Sequence, residues 1–255
     1  MAQADAEALE ARRLKKEALI EHVYALRRML IIIAATIGLA FVVMFYQMST
    51  QLAGFLLRPL VSRGIDVIAT RVSESLVMQM KTCLVAALIC SMPMIIYQIW
   101  DFAAPALYPG EKRGFWLIFL SMLLLFAVGI VFAYAFVFPL AIDLFYEAGH
   151  GVAEAMWSVN DYFNFVLGFL LPFGLMFELP VVIWLLARNG KVTAKGMNKS
   201  RKYFILGAAV VAAILTPPDV VSQTMLLIPL LLLYELSALI VRIVKPKGEA
   251  QPTES

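Results

Sequence analysis

Four carboxylates stand where carboxylates are costly or unusually presented. Glu178, in "FGLMFELPVVIW", lies inside an otherwise apolar run, two residues before Pro180. An acid in such a run costs about 3 kcal/mol even on lenient insertion scales, so a functional role is its default reading. The structural reading beside it is a neutral Glu hydrogen-bonded to a neighbouring helix. Pro180 cannot bond the carbonyl four residues earlier and can kink its helix, so a bent helix bearing an acid points to a concave, partly hydrated face. Glu235 is similar but nearer its helix end, within reach of the interface. Asp219 follows Pro217-Pro218 and is most simply the N-cap of the next helix, with a contact on the outer face as the alternative. Glu111 tips the loop "FAAPALYPGEKR", residues 102–113. One reading is a solvated turn with a local ion pair to Lys112 or Arg113 worth under about 1 kcal/mol. The other is an acid held out rigidly by Pro105 and Pro109 toward a cationic peptide, where bidentate Arg–carboxylate bonds supply affinity and geometry.

No pattern points to catalysis. His22 and His150 stand alone, without HExxH or a Cys/His cluster, so no metal is expected. GxSxG and the glycine fingerprints of nucleotide cofactors are absent, so no catalytic residue or cofactor is expected either. Cys83 and Cys90 lie seven apart, about 10 Å along a helix, too far for a disulfide within it.

The elements that must carry these acids are apolar helices. Hydrophobic residues make up 62% of the 255 and charged ones 15%, which is the balance of an integral membrane protein. Six segments are expected to form spans, at about 29–46, 77–100, 115–139, 162–187, 203–215 and 220–241. The fifth is only 13 residues, about 20 Å as a helix, and stops at Thr216-Pro217-Pro218-Asp219. The sixth opens with Ser222, Gln223 and Thr224, is interrupted by Pro229 and carries Glu235. A hairpin about 10 Å short of the bilayer must thin the lipid, admit water or lean on protein. The fold expected is therefore an all-α membrane protein: six transmembrane helices with a short, partly non-spanning fifth/sixth hairpin and a concave face.

Residues 1–28 form a polar N-terminal segment, 29–241 one membrane domain and 242–255 a tail; no internal repeat divides the domain. Leu19, Val23, Leu26 and Leu30 make an apolar helical stripe, read as an amphipathic helix lying at the interface before it turns into the first span. No secretory signal is visible, so the N-terminus is expected to be retained. Arg27-Arg28 before an apolar run has the look of a twin-arginine export signal, but five further hydrophobic segments favour a topology determinant. With six spans, seventeen Lys/Arg fall on one side and four on the other, which places both termini in the cytoplasm.

The stretches "HVYALRR" (22–28), "YQIWDFAAPALYPGEKR" (97–113), "FAYAFVFPLA" (132–141), "FELPVVIWLL" (177–186) and "RKYFILGAAVVAAILTPPDVVSQTMLLIPLLLLYE" (201–235) closely resemble the TatC family, the multi-spanning receptor subunit of the twin-arginine protein translocase. The resemblance covers about residues 19–242, in order and in register. It implies a protein of the bacterial cytoplasmic (inner) membrane that binds twin-arginine signal peptides of folded proteins. With the single-span partners TatA and TatB it would export them on the proton-motive force, without ATP hydrolysis, in a self-associated complex in the lipid and with no nucleic acid. Glu111 would accept the signal guanidinium, with Phe102, Pro105, Leu107 and Tyr108 shaping the loop and Arg27 in the N-terminal motif. Glu178 and Pro180 would belong to the concave face, Asp219 and Gln223 to the outer hairpin, and Gln98, Tyr134 and Glu235 to further membrane-face polar or structural positions.

The family's N-terminal motif reads His-x-x-Glu-Leu-Arg, whereas this chain has Ala25 at the acid. Glu21, one turn earlier on nearly the same face, is read as its substitute. The outer segment "TRVSESLVMQMK" (70–81) keeps Glu74 but lacks a proline common in the family. Two other readings stand beside this one. A proton-coupled small-solute secondary transporter would also use a mid-membrane acid and a broken hairpin, but predicts repeat symmetry between halves. A generic insertase or scaffold predicts no arginine-specific ligand.

Overall fold

Apolar runs with few breakers become helices because in lipid only internal hydrogen bonds satisfy the backbone. The computed structural model describes residues 2–69, 71–107, 112–149, 156–215 and 220–244. Its helices are α1 (Ala2–Val61), α2 (Glu74–Leu107), α3 (Lys112–Phe132), α4 (Phe138–Gly149), α5 (Val159–Phe177), α6 (Leu179–Arg188), α7 (Ala194–Leu215) and α8 (Val220–Ile243). A π-helical turn, Ala133–Val137, joins α3 to α4 without a break.

Among the described residues, five helical stretches are long and apolar enough to cross a membrane: Ile20–Val61, Glu74–Phe102, Trp116–Glu147, Val159–Arg188 and Val220–Ile243. α7 is absent from that set because Lys195, Lys199, Arg201 and Lys202 fall within its first nine residues, leaving only residues 203–215 apolar. The turn expected after residue 28 does not occur. α1 runs 60 residues unbroken, since no Gly or Pro interrupts the junction. Its Ile20–Val61 portion is about 63 Å long, twice the hydrocarbon core, so part of it projects beyond the lipid.

The all-α expectation needs one amendment. β1 (Asp66–Ile68) and β2 (Met156–Ser158) pair in parallel, Val67 opposite Trp157. The pairing ties the connection after α1 to the one before α5. Three-residue strands carry no periodicity that a sequence reading could find.

α2 packs along α1, α3 crosses α5, and α8 packs against both α6 and α7. The core is aromatic. Phe165, Phe169 and Phe173 lie one turn apart on α5 and meet in series, with ring centroids 4.5 Å and then 6.0 Å apart. Phe132, Phe138 and Phe145 from the helix α3–π–α4 pack against them with tilted or edge-on rings. The α3–α5 crossing is close because both sides lack a side chain. A Cβ on Gly129 would stand 2.7 Å from the Phe173 carbonyl oxygen, and one on Gly174 2.6 Å from the Phe126 ring.

Candidate functional site

The motif "HVYALRR" lies on a fully exposed stretch of α1, and its first residue anchors it to α2. The His22 and Phe102 rings sit 4.3 Å apart, tilted by 31°. Because an early residue of α1 meets a late residue of α2, the helices run antiparallel, and the motif stands beside the end of α2 from which the acid-tipped loop departs. Gln98 lies one turn before Phe102 on α2, half-buried like it. Glu21 is exposed next to His22. Arg27 lines a shallow surface cavity of about 330 Å³ with Tyr24, Arg28, Ile31 and Ile32. Pro105 and Leu107 belong to the last turn of α2, while Tyr108 and Glu111 lie outside the described residues. The tertiary fold thus brings together His22 and Phe102, residues eighty positions apart, with Glu21 and Arg27 elsewhere on the same exposed stretch of α1.

A second set lines the membrane part. Pro180 stands at the start of α6 with no N–H to offer the Met176 carbonyl, and the helix expected over 162–187 divides there into α5 and α6. The Glu178 N–H turns back to Leu175 instead, at 3.2 Å. Glu178 is 7% exposed, and neither carboxylate oxygen has a hydrogen-bond partner among the described residues. The neighbouring-helix bond of the structural reading is therefore not found there. Glu235 accepts from Arg201 at 2.6 Å, a partly exposed pair near the start of α7 that ties α8 to α7. Gln223 donates to the Ala209 carbonyl at 3.1 Å and closes the same hairpin toward its other end. Tyr134, in the π turn, donates to the Phe55 carbonyl at 3.1 Å. Asp219 lies outside the described residues.

Residues 21–229 match the family model of the Sec-independent protein translocase protein (TatC). The chain belongs to the TatC family. It is similar to the Sec-independent protein translocase protein TatC of Carboxydothermus hydrogenoformans, 37% identical over 91% of this chain and 96% of the relative. Haemophilus influenzae TatC is 38% identical over 92% of this chain and 93% of its own length, and Escherichia coli K12 TatC 35% over 90% of each. A crystal structure of the twin-arginine translocase receptor TatC superposes with a TM-score of 0.81 at 36% identity, over 87% of this chain and 98% of that one. The chain is thus a multi-pass, predominantly helical membrane protein of a protein-translocase family, and the small-solute transporter reading finds no support among these relatives.

Several polar residues of this TatC-family chain escaped sequence reasoning as a set. Glu74 is buried at the start of α2 and accepts from the Arg71 N–H at 3.0 Å, the Asn160 N–H at 3.1 Å and the Ser158 hydroxyl at 3.4 Å. It therefore clamps the first turn of α5 to the first turn of α2. Arg63 forks onto Asp143, Nε to Oδ1 at 2.6 Å and an Nη to Oδ2 at 3.0 Å, joining the end of α1 to α4. The Lys81 ammonium donates to Asn164 at 2.8 Å, from α2 to α5. Apart from Arg71 and Glu74, each partner pair is eighty or more residues apart, so no local spacing announces it. The visible signal was only a lone acid or base at the edge of an apolar run.

Proposed function

We propose that this chain is the receptor subunit of a twin-arginine translocase. It binds the signal peptides of folded proteins on its cytoplasmic side and, with TatA- and TatB-type partners, exports them on the proton-motive force without catalysing a reaction itself. Six spans with both termini cytoplasmic and a concave membrane face complete the reading, α7 serving as the short fifth span. The observation that carries it is the His22–Phe102 contact, which sets the exposed motif of α1 beside the late part of α2, nine residues before Glu111 in the sequence. In this reading Glu111 and Glu21 accept the pair of guanidinium groups. A planar guanidinium bonds a carboxylate through two parallel N–H donors, a geometry an ammonium cannot copy.

Binding of a fluorescent twin-arginine signal peptide to the purified protein, beside a twin-lysine peptide of otherwise equal sequence, tests this. The parent is expected to prefer the arginine peptide, and Glu111→Gln to abolish the preference. If both peptides bind alike and Glu111→Gln changes nothing, arginine recognition by this loop is wrong.

A further inference from the structure

The His22–Phe102 contact fixes which flanks of α1 and α2 lie together. Each residue of a helix turns about 100° from the one before it. Because the two helices are antiparallel, the residue before His22 and the residue before Phe102 turn to the same side of the pair. Those residues are Glu21 and Asp101, and both are exposed. The side they share is the open one. Met92 and Ile96, which cluster with Phe126 of α3, stand about 180° and about 140° round α2 from Asp101. With helix axes about 8–10 Å apart, Glu21 and Asp101 stand on opposite walls of one groove. Ala25, one turn from Glu21 on the same flank, adds only a methyl group to it. Neither acid has a hydrogen bond or ion pair among the described residues, although Arg28 lies on that flank nearer the membrane. The fold itself makes no visible use of Asp101.

We propose that Asp101 is a recognition residue for the arginine pair of the signal peptide, sharing one guanidinium with Glu21 while Glu111 takes the other. The inference rests on the receptor reading above and adds a residue to its site. A guanidinium carries five N–H donors in a planar fork and no acceptor. Two of them can pair in parallel with one carboxylate, which leaves others for a second acid across the groove. An ammonium is a point charge without that fork, so an acid on each wall selects arginine by geometry as well as by charge. Adjacent side chains of an extended peptide point to opposite faces. One arginine can therefore enter this groove while its neighbour turns to the loop of Glu111, ten residues after Asp101 in the chain. An acid that merely lowered the local potential would attract lysine and arginine peptides alike.

The test is fluorescence anisotropy of the purified full chain with signal peptides of otherwise equal sequence that carry Arg-Arg, Arg-Lys, Lys-Arg or Lys-Lys. Asp101→Asn should weaken Arg-Arg binding by about tenfold and leave Lys-Lys binding nearly unchanged. It should cost affinity for one mixed peptide only, the same one that Glu21→Gln affects, and Glu111→Gln should affect the other. Asp101→Glu, which keeps the carboxylate, should recover most of the loss. Glu147→Gln, which removes an exposed acid of α4, should bind as the parent does. If Glu111→Gln removes the preference for Arg-Arg and Asp101→Asn does not, the receptor reading stands and the assignment of Asp101 is wrong. The assignment is also overturned if Asp101→Asn weakens Arg-Arg and Lys-Lys binding equally, or if it acts on the same arginine as Glu111→Gln. If the parent distinguishes none of the four peptides, the receptor reading itself fails and this proposal with it.

Discussion

The Tyr134 hydroxyl donates to the Phe55 carbonyl at 3.1 Å, and Phe55 is the residue whose carbonyl Pro59 leaves without a partner inside α1. A tyrosine from the π turn thus repairs the break that a proline makes in another helix, while the two rings stack at 4.5 Å. Tyr134→Phe keeps the stacking and removes the hydrogen bond, and should lower unfolding stability in detergent by about 1 kcal/mol. In a Pro59→Ala background the carbonyl regains a helical donor, so the same change should cost measurably less. Equal costs in both backgrounds, read from a double-mutant cycle, would disprove the coupling.

Phe102 holds the α1 motif to the end of α2 through His22, so its truncation should reach the signal peptide indirectly. Phe102→Ala should weaken twin-arginine peptide binding by up to about tenfold, since an aromatic pair is worth about 1 kcal/mol beyond its area. Phe102→Tyr should bind as the parent does. Peptide titrations by fluorescence anisotropy decide it, and equal loss in both variants would mean that ring contact is not what matters.

The α3–α5 crossing leaves no room for a methyl group at Gly129, where the obstructing atom is a backbone oxygen. Gly129→Ala should destabilise the protein by about 2 kcal/mol through overpacking. Gly207, with open space around it, is the control: Gly207→Ala should be neutral or stabilising, by helix propensity. The thermal unfolding midpoint should therefore fall for Gly129→Ala and not for Gly207→Ala.

Glu178 is the reverse case, a side chain that does nothing visible for the fold. With both oxygens buried and unpartnered among the described residues, its replacement by Met should leave thermal stability unchanged or raised, because a buried polar group without a hydrogen bond is a net cost. Export of a reporter protein in cells should fall all the same if the carboxylate serves substrate or partner subunits. Loss of stability without loss of export would reverse that assignment.

Glu74 should behave oppositely. It receives the Asn160 N–H and the Ser158 hydroxyl across the α2–α5 junction and the Arg71 N–H from its own side, and hydrogen bonds to a charged acceptor contribute about 2 kcal/mol each. Glu74→Ala should lower the unfolding midpoint strongly, whereas Glu74→Gln, which keeps an acceptor oxygen, should recover part of it.

The apolar run lengths by themselves determined that this chain is a helical membrane protein, and Pro180 where the expected 162–187 helix divides, whereas Pro229, read as an interruption, lies inside a continuous α8. Membrane-spanning helices close their hydrogen bonds locally, and Pro180 ends that closure wherever it falls. The motifs of residues 22–28, 97–113 and 201–235 carried the family for the same reason: they are contiguous. What tertiary structure decided was pairing at a distance. It set His22 against Phe102, gave Glu235 to Arg201, left Glu178 without a partner among the described residues, and made a clamp of Glu74 that looked like a stray acid. Its other decisions concerned continuity. α1 has no breaker at residue 28 and so runs straight through the expected turn, and α7 keeps helical geometry through a charged stretch because Met197, Phe204 and Arg201 are held by α8. Side-chain partners eighty residues apart leave no local period in a sequence, so only the folded chain shows them.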